Sequence, residues 1–415
     1  MKILIVAPLL PHPGALNAGA LVVYEQLVVL ATRHAITLAT FAGPDPGERA
    51  ALVELRASGL TVHAVWRNPP RGRRRWTHRV RLLLTWLRTS HPLPVLEFSE
   101  PAMQRLLDRL MREGAYDLVQ VEYSMMTGYR YAVGTPVLLI DHEVFTVPAA
   151  AVYRVGGHGP SWPLSLDDER RWRHYLPTAW SRFDRIQVFT DEDAAVLLAL
   201  APHLRERVRV NPFGIALPPQ PDPALEEEGL VLFVGGFVHP PNVDAARWLA
   251  DAIMPALRQR VPDARLAIVG ADPSGMVLAL ADPVAGIAVL GRVPTIEPYL
   301  ARAAVVVAPV RTGGGMRRKV LHALAMGKAV VTTTRGTAGL GADVPVIVAD
   351  DAPGIAHALA ALLENRPARR ALGQRGRAFV AAAHNHAAYV ARLERTQLEA
   401  LASPGGAHTA AAEIE

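Results

Sequence analysis

Through the first two hundred positions, apolar residues come in compact runs separated by helical patterns. Lys2–Ala7, Ala35–Thr40, Leu60–Val65, Leu118–Val121, Val137–Ile140 and Ile186–Phe189 read as strands. Gly19–Arg33, Ser99–Arg112, a stretch running through Arg182, and Asp191–Leu200 read as helices, the last capped by Thr190. Strands alternating with helices of this length build a parallel sheet with helices on both faces. Such strands are buried on both sides and so show unbroken apolar runs. The rhythm lapses between Pro212 and Gly229, where Pro218, Pro219, Pro221, Pro223 and the acidic Glu226–Glu228 predict a stiff polar connector. It restarts with strands at Leu230–Val234, Leu266–Val269, Ile287–Leu290, Ala304–Ala308 and Ala329–Thr333, a helix at Asn242–Arg260, and a helical end from Ile355 to about Leu401.

The expected fold is α/β, with two doubly wound, Rossmann-like parallel-sheet domains facing a cleft. Residues 1–212 form the first, 213–228 the linker and 229–383 the second; a helix at 384–402 packs back toward the first, and 403–415 is a flexible tail. Ligands of such sheets bind beyond the carboxyl ends of the strands, where the strand order reverses, so those loops are where chemistry is sought.

Composition narrows the function. With 415 residues, half of them hydrophobic and a fifth charged, the chain can bury two cores. It has no cysteine, which excludes disulfides, thiolate nucleophiles and Cys-ligated zinc. Met1–Val6 enters a strand without the features of a secretory signal, and no uncharged run has the roughly 18 apolar residues of a spanning helix. A cytoplasmic protein is expected, peripheral on the inner face of the membrane. The net charge of +6 is local: Arg67–Arg88 holds eight arginines and no acidic residue. A nucleic-acid binder would spread its basic charge, so no such partner is expected. The arginines alternate with Trp76, Val80, Leu82–Leu84, Trp86 and Leu87, the composition of an interfacial helix drawn to an anionic membrane surface. A solvated face packed by its leucines, or a clamp for a phosphorylated acceptor, are the alternatives.

The most informative stretch is Val305–Val331. A buried strand feeds Gly313-Gly314-Gly315, which opens a helix bearing Arg317, Arg318, Lys319 and His322. Glycines let backbone N–H groups approach an anion, and a helix N-terminus adds about half a positive charge. A diphosphate site and a glycine turn with a solvated basic face fit these residue types equally well. Neither GxxxxGK[ST] nor GxGxxG after the first strand is present.

In order and spacing, Gly19 after the first strand, Thr190-Asp-Glu-Asp, Asn211-Pro-Phe-Gly, Phe233-Val-Gly-Gly, Pro241-Asn242, Val269-Gly270, Gly291-Arg-Val and Gly313 through Lys328 together resemble the GT-B glycosyltransferases, specifically the retaining family-four-like group (glycosyl transferases group 1) that uses nucleotide-sugar donors. The resemblance covers nearly the whole chain. It implies transfer of a sugar from a UDP- or GDP-sugar to a glycan or lipid-linked acceptor, as in cell-envelope polysaccharide synthesis, with retention, without a metal and with no other cofactor. On the donor side it places Gly314, Gly315 and Met316 at the sugar and diphosphate, with Gly313 opening the loop and Arg318 beside it. Arg292 and Val293 lie along the base, His322 at the ribose, and Gly235 and Gly236 against the phosphates. His142, after the strand Val137–Ile140, is the candidate facing the reacting sugar, with a helix-capping loop histidine as its alternative. Gly19 and Glu122 belong to the acceptor side.

The chain departs from the family pattern where two glutamates are common: the positions hold Gly314 and His322. The Arg and Lys that often follow the first strand of the second domain are replaced by Phe237 and Pro240-Pro241-Asn242, which leaves Arg317, Lys319 or Arg318 to stabilise the leaving group. A catalytically weakened homologue, sensing nucleotide sugar or acting as a scaffold, is the alternative these departures allow. Asp191-Glu192-Asp193 matches a metal-binding DxD string but reads as a capped helix start. His384 and His386 read as surface residues.

Overall fold

The computed structural model describes residues 1–15, 17–44, 46–67, 73–142, 144 and 162–403. Residues 68–72 of the basic segment, Glu143 beside His142, and the tail from 404 lie outside them.

Thirteen strands are present among the described residues. β1 (Lys2–Ala7), β2 (Ala35–Ala42), β3 (Thr61–Trp66), β4 (Leu118–Glu122), β5 (Val137–Asp141), β6 (Arg185–Val188) and β7 (Val208–Val210) pair in the order β3-β2-β1-β4-β5-β6-β7. β8 (Leu230–Val234), β9 (Arg265–Val269), β10 (Ile287–Gly291), β11 (Val305–Ala308), β12 (Ala329–Thr332) and β13 (Ile347–Val348) pair as β10-β9-β8-β11-β12-β13. Every pairing in both sheets is parallel. The central strands β1, β4 and β11 are buried along nearly their whole length, as sheets covered on both faces require. Both sheets are thus the doubly wound α/β type expected.

In the first sheet's part of the chain the helices are α1 (Ala18–Leu30), α2 (Pro46–Ala57), α3 (Arg73–Arg88), α4 (Leu93–Glu97), α5 (Pro101–Gly114), α6 (Trp162–Trp180) and α7 (Asp191–Leu200). In the second they are α8 (Pro240–Trp248), α9 (Met254–Arg258), α10 (Gly275–Leu278), α11 (Glu297–Arg302), α12 (Arg318–Ala325), α13 (Ala352–Glu364), α14 (Arg366–Ala383) and α15 (His386–Leu401). The expected single helix Asn242–Arg260 is divided: α8 and α9 flank a π-turn at Leu249–Ile253. Pro255 follows two residues after its end. It has no N–H to donate to the carbonyl four residues back, and the helix widens ahead of it. The expected helical end is three helices. Asn365 caps α14, its Oδ1 accepting from Ala368 N at 3.0 Å, and the chain bends again at His384–Asn385.

Among the described residues two compact units result: 1–144 with 162–211 and 390–403, and Pro212–Tyr389. In the second unit the acidic run is anchored. Glu226 Oε1 accepts from Arg369 Nη2 at 2.7 Å, and Glu227 Oε1 accepts from Arg302 Nε at 2.5 Å. His384, expected at the surface, is buried with its ring against Phe379, because its carbonyl accepts from Ile215 N at 2.9 Å where the chain folds over Gly214. Among the described residues no helix is long and apolar enough to cross a membrane.

Candidate functional site

In the first sheet the strand order reverses between β1 and β4, the place where such sheets bind ligands. Asn17 caps α1 there: its Oδ1 accepts from Gly19 N at 2.8 Å, from Ala20 N at 3.2 Å and from Tyr123 Oη at 3.1 Å. Across from it, β4 ends in Glu122, whose carboxylate is wholly buried. A buried carboxylate requires donors, and three converge. Gln26 Nε2 and Gln120 Nε2 donate to Oε1 at 2.5 and 2.6 Å, and His142 Nε2 donates to Oε2 at 2.7 Å. Gln120 is itself held, its Oε1 accepting from Gln397 Nε2 at 2.7 Å.

The pairing sets the histidine. With Nε2–H given to a carboxylate, Nδ1 is left as the acceptor of the neutral ring. The imidazole lies flat on Tyr123, with centroids 3.9 Å apart, and meets the edge of Phe189. A Cβ on Gly19 would overlap the Tyr123 hydroxyl and fall 3.0 Å from His142 Nδ1. Only glycine leaves room there for the Tyr123 hydroxyl. Tyr123 itself has φ +70°, a conformation that costs a non-glycine residue about 1–3 kcal/mol and that clusters at functional sites. Beside His142, Asp141 is buried and its carboxyl is pushed up to about 7, mainly by desolvation, against hydrogen bonds from Ser124 Oγ and Trp180 Nε1.

In the second sheet the order reverses between β8 and β11. Gly235 and Gly236 follow β8, Gly270 follows β9, and the triglycine loop follows β11. A Cβ on Gly270 would overlap Gly235 O, so these strand ends touch backbone to backbone. Gly313 and Gly315 have φ +91° and +72°, in the region where only glycine is unstrained. Arg317 precedes α12, and its side chain folds back on this loop: Nη1 donates to Gly314 O at 2.7 Å and Nη2 to Gly313 O at 2.6 Å. Lys319 Nζ donates to Asn242 Oδ1 at 2.5 Å, and Asn242 Nδ2 donates to Gly236 O at 2.7 Å, tying α12 to the end of β8. The ammonium also stands 4.7 Å above the Phe233 ring.

The electrostatics are one-sided. Burial, then the charge of Arg317, lowers Lys319 to about 7. Burial, then Lys319 and Arg317, lowers His239 to about 4. No carboxylate pairs with Lys319 or His239 among the described residues. An anion arriving among this open backbone would raise both groups toward their charged forms.

The structure therefore brings Gly235, Gly236, Gly313, Gly314, Gly315, Arg317 and Lys319 to one end of the second sheet, and Gly19, Glu122 and His142 to one end of the first. Met316 is buried beneath the loop, and Arg318 is half-buried at the first turn of α12. Arg292 and Val293 lie in the loop after β10 that runs on to α11, with Arg292 exposed. His322 faces that helix, its Nε2 lying 3.2 Å from Glu297 Oε1, and the hydrogen bond from His322 is the main reason Glu297 sits below the usual carboxylate range. Thr190 caps α7 by accepting from Asp193 N at 2.9 Å, and Asp193 accepts from Thr190 Oγ1 and Val144 N, so Asp193 is occupied by local structure.

Sequence reasoning missed Tyr123, His239, Asn242 and Glu297. Asn242 had a signal, standing in a quoted motif. A lone histidine before two prolines, or a glutamate opening a short helix, has none until the fold supplies its neighbour.

Residues 228–365 match the family model described as glycosyl transferases group 1. Among curated proteins none matches the sequence. Among solved structures, the chain is similar to sucrose-phosphate synthase from Thermosynechococcus elongatus, with 16% identity and a TM-score of 0.66 over 95% of this chain and 98% of that one. It is similar to Anabaena HepE in complex with UDP and glucose, with 14% identity and a TM-score of 0.66 over 95% and 99%. It is also similar to a glycosyltransferase from Rickettsia africae, with 13% identity and a TM-score of 0.65 over 97% and 98%. The likeness shows a GT-B fold.

Proposed function

We infer, from the match of residues 228–365 to the model described as glycosyl transferases group 1, a retaining, metal-independent transferase that moves a sugar from a UDP- or GDP-sugar to a glycan or lipid-linked acceptor. The observation that carries this reading is Lys319, lowered to about 7 with no carboxylate pairing among the described residues, at glycine-opened strand ends. A departing nucleoside diphosphate gathers negative charge, and preorganised donors in a low-dielectric site stabilise it as it forms. Lys319 is the donor that meets this charge. Arg317, spent on the loop carbonyls, fixes the shape of the backbone that receives the phosphates. In the first unit His142 presents Nδ1 as an acceptor for a sugar hydroxyl. That HepE is solved with UDP and with UDP-glucose favours a UDP-sugar donor.

Affinity for UDP, measured by calorimetry from about pH 7.5 to 9, tests this. A diphosphate raises the pKa of Lys319 above its ligand-free value of about 7. The extra affinity is full below that value and is lost as pH rises through the bound-state pKa, by at most about tenfold per pH unit. In Lys319→Met the slope disappears. UDP and GDP binding that does not respond to pH overturns the assignment of Lys319. Tight binding with no release of nucleoside diphosphate across a panel of donors and acceptors favours the sensor.

The Glu297–His322 pair restores a carboxylate next to the position where the family pattern has one. We place the ribose against it. Glu297→Gln is expected to weaken UDP binding by roughly tenfold, the worth of one charged hydrogen bond, and an unchanged dissociation constant would remove the pair from the donor site.

A further inference from the structure

In α3, Trp76, Val80, Leu83, Leu84 and Leu87 fall at i, i+4, i+7, i+8 and i+11, within an arc of about 100° on a helix of 3.6 residues per turn. A stripe of this kind normally faces a core. Here it faces outward: Trp76 is 72% exposed, Leu83 43%, Leu84 45% and Leu87 61%. The helix is attached by its other side. Trp86 is 5% exposed, and the guanidinium of Arg171 on α6 lies 4.0 Å over its ring while donating to Trp86 O at 2.7 Å and to Thr89 O. Asp168 Oδ1 accepts from Trp86 Nε1 at 3.4 Å and from Leu93 N at 2.6 Å. The attachment is thus specific, and the apolar stripe is left over.

The stripe ends at a basic pocket. Leu87, Arg88, Thr89 and Ser90 at the end of α3 line it together with Arg170, Arg171 and His174 of α6. Arg88, Arg170 and His174 are exposed and take part in no ion pair among the described residues. Arg81 flanks the stripe on the same side as Arg88. The whole segment Arg67–Arg88 carries no acidic side chain, so nothing within it neutralises the arginines.

We propose that α3 lies in the interface of a membrane bearing acidic phospholipid, with Trp76, Leu83, Leu84 and Leu87 among the acyl chains and a lipid phosphate in the pocket formed by Arg88, Arg170 and His174. Apolar side chains and arginines on adjoining arcs of one helix are what a surface with a hydrocarbon interior and anionic head groups selects. The aqueous alternative leaves a tryptophan and three leucines in water beside uncompensated charge. This inference stands apart from the chemistry of the strand ends and would survive the failure of the transferase reading.

The test uses the full chain with sedimenting vesicles of phosphatidylcholine alone and of phosphatidylcholine with about 30% phosphatidylglycerol. Binding is expected to the anionic vesicles, at least tenfold over the neutral ones, and to weaken steeply in half-molar salt. Trp76→Ser/Leu87→Ser and, separately, Arg88→Glu/Arg170→Glu each abolish it. Circular dichroism melts unchanged from the parent show that both variants fold, since none of the four side chains is buried. Negligible binding to both vesicles, equal binding to both, or binding that survives both variants overturns the proposal. So does a dimer in sedimentation velocity that Leu83→Glu dissolves, for the stripe would then be covered by a second copy.

Discussion

Replacing Lys319 by methionine is expected to cut kcat for nucleoside diphosphate release by about 10²–10³-fold, the effect of removing one preorganised donor to developing charge. The same substitution should leave thermal stability unchanged or raise it. Desolvation already lowers the lysine to about 7, and a half-buried cation without a carboxylate partner contributes little to folding, whereas methionine keeps the contact with Phe233. Activity and stability therefore move independently, which separates a lost catalytic charge from a damaged fold. A methionine variant with parental kcat would assign the leaving-group charge to another cation.

Glu122→Ala carries the second large effect, in stability. It strands the N–H groups of Gln26, Gln120 and His142 in a space closed to water, which costs about 3–5 kcal/mol for a broken buried charge-bearing network. The midpoint for unfolding of the first unit should fall by roughly 6–20 °C at the usual 2–4 °C per kcal/mol. Glu122→Gln keeps the shape. It folds, but it no longer gives Nε2–H a carboxylate, so Nδ1 ceases to be the reliable acceptor and turnover falls on the order of 10²-fold. The ring tautomer, read from the ¹⁵N shifts of His142, distinguishes that cause from a general loosening. An Nε2–H tautomer retained in Glu122→Gln, with full turnover, would show that the glutamate is only structural.

What could be read from the sequence divides by range. The glycines and cations from Gly313 to Lys319 are contiguous, so their chemistry is visible before any fold is known. Strand ends are visible too, because parallel strands are short apolar runs and whatever polar residue follows them stands at the ligand edge; Glu122 and His142 emerge in this way. Their pairing does not, since the two residues are twenty positions apart. Gln26, Gln120 and Gln397 are invisible for the same reason: an amide inside an apolar run looks like noise until a buried carboxylate explains it. Arg317 shows the opposite error. Its residue type suggests a cation for phosphate, but its guanidinium is committed to the carbonyls of its own loop. The π-turn ahead of Pro255 and the φ of Tyr123 depend on local crowding that periodicity does not encode.

The last helix has a consequence for how the protein comes into being. From Val390 onward α15 belongs to the first unit, where Val390, Leu393 and Ala400 are buried, Arg392 Nε donates to Asn211 Oδ1 at 2.7 Å and Glu399 accepts from Arg209. Through Gln397 it also steadies the amide that holds Glu122. During translation the first unit must accordingly wait, unfinished, while Pro212–Tyr389 is synthesised. Its final closure comes only once α15 has left the ribosome, so nascent chains stalled before that point expose an incomplete first sheet to chaperones and proteases.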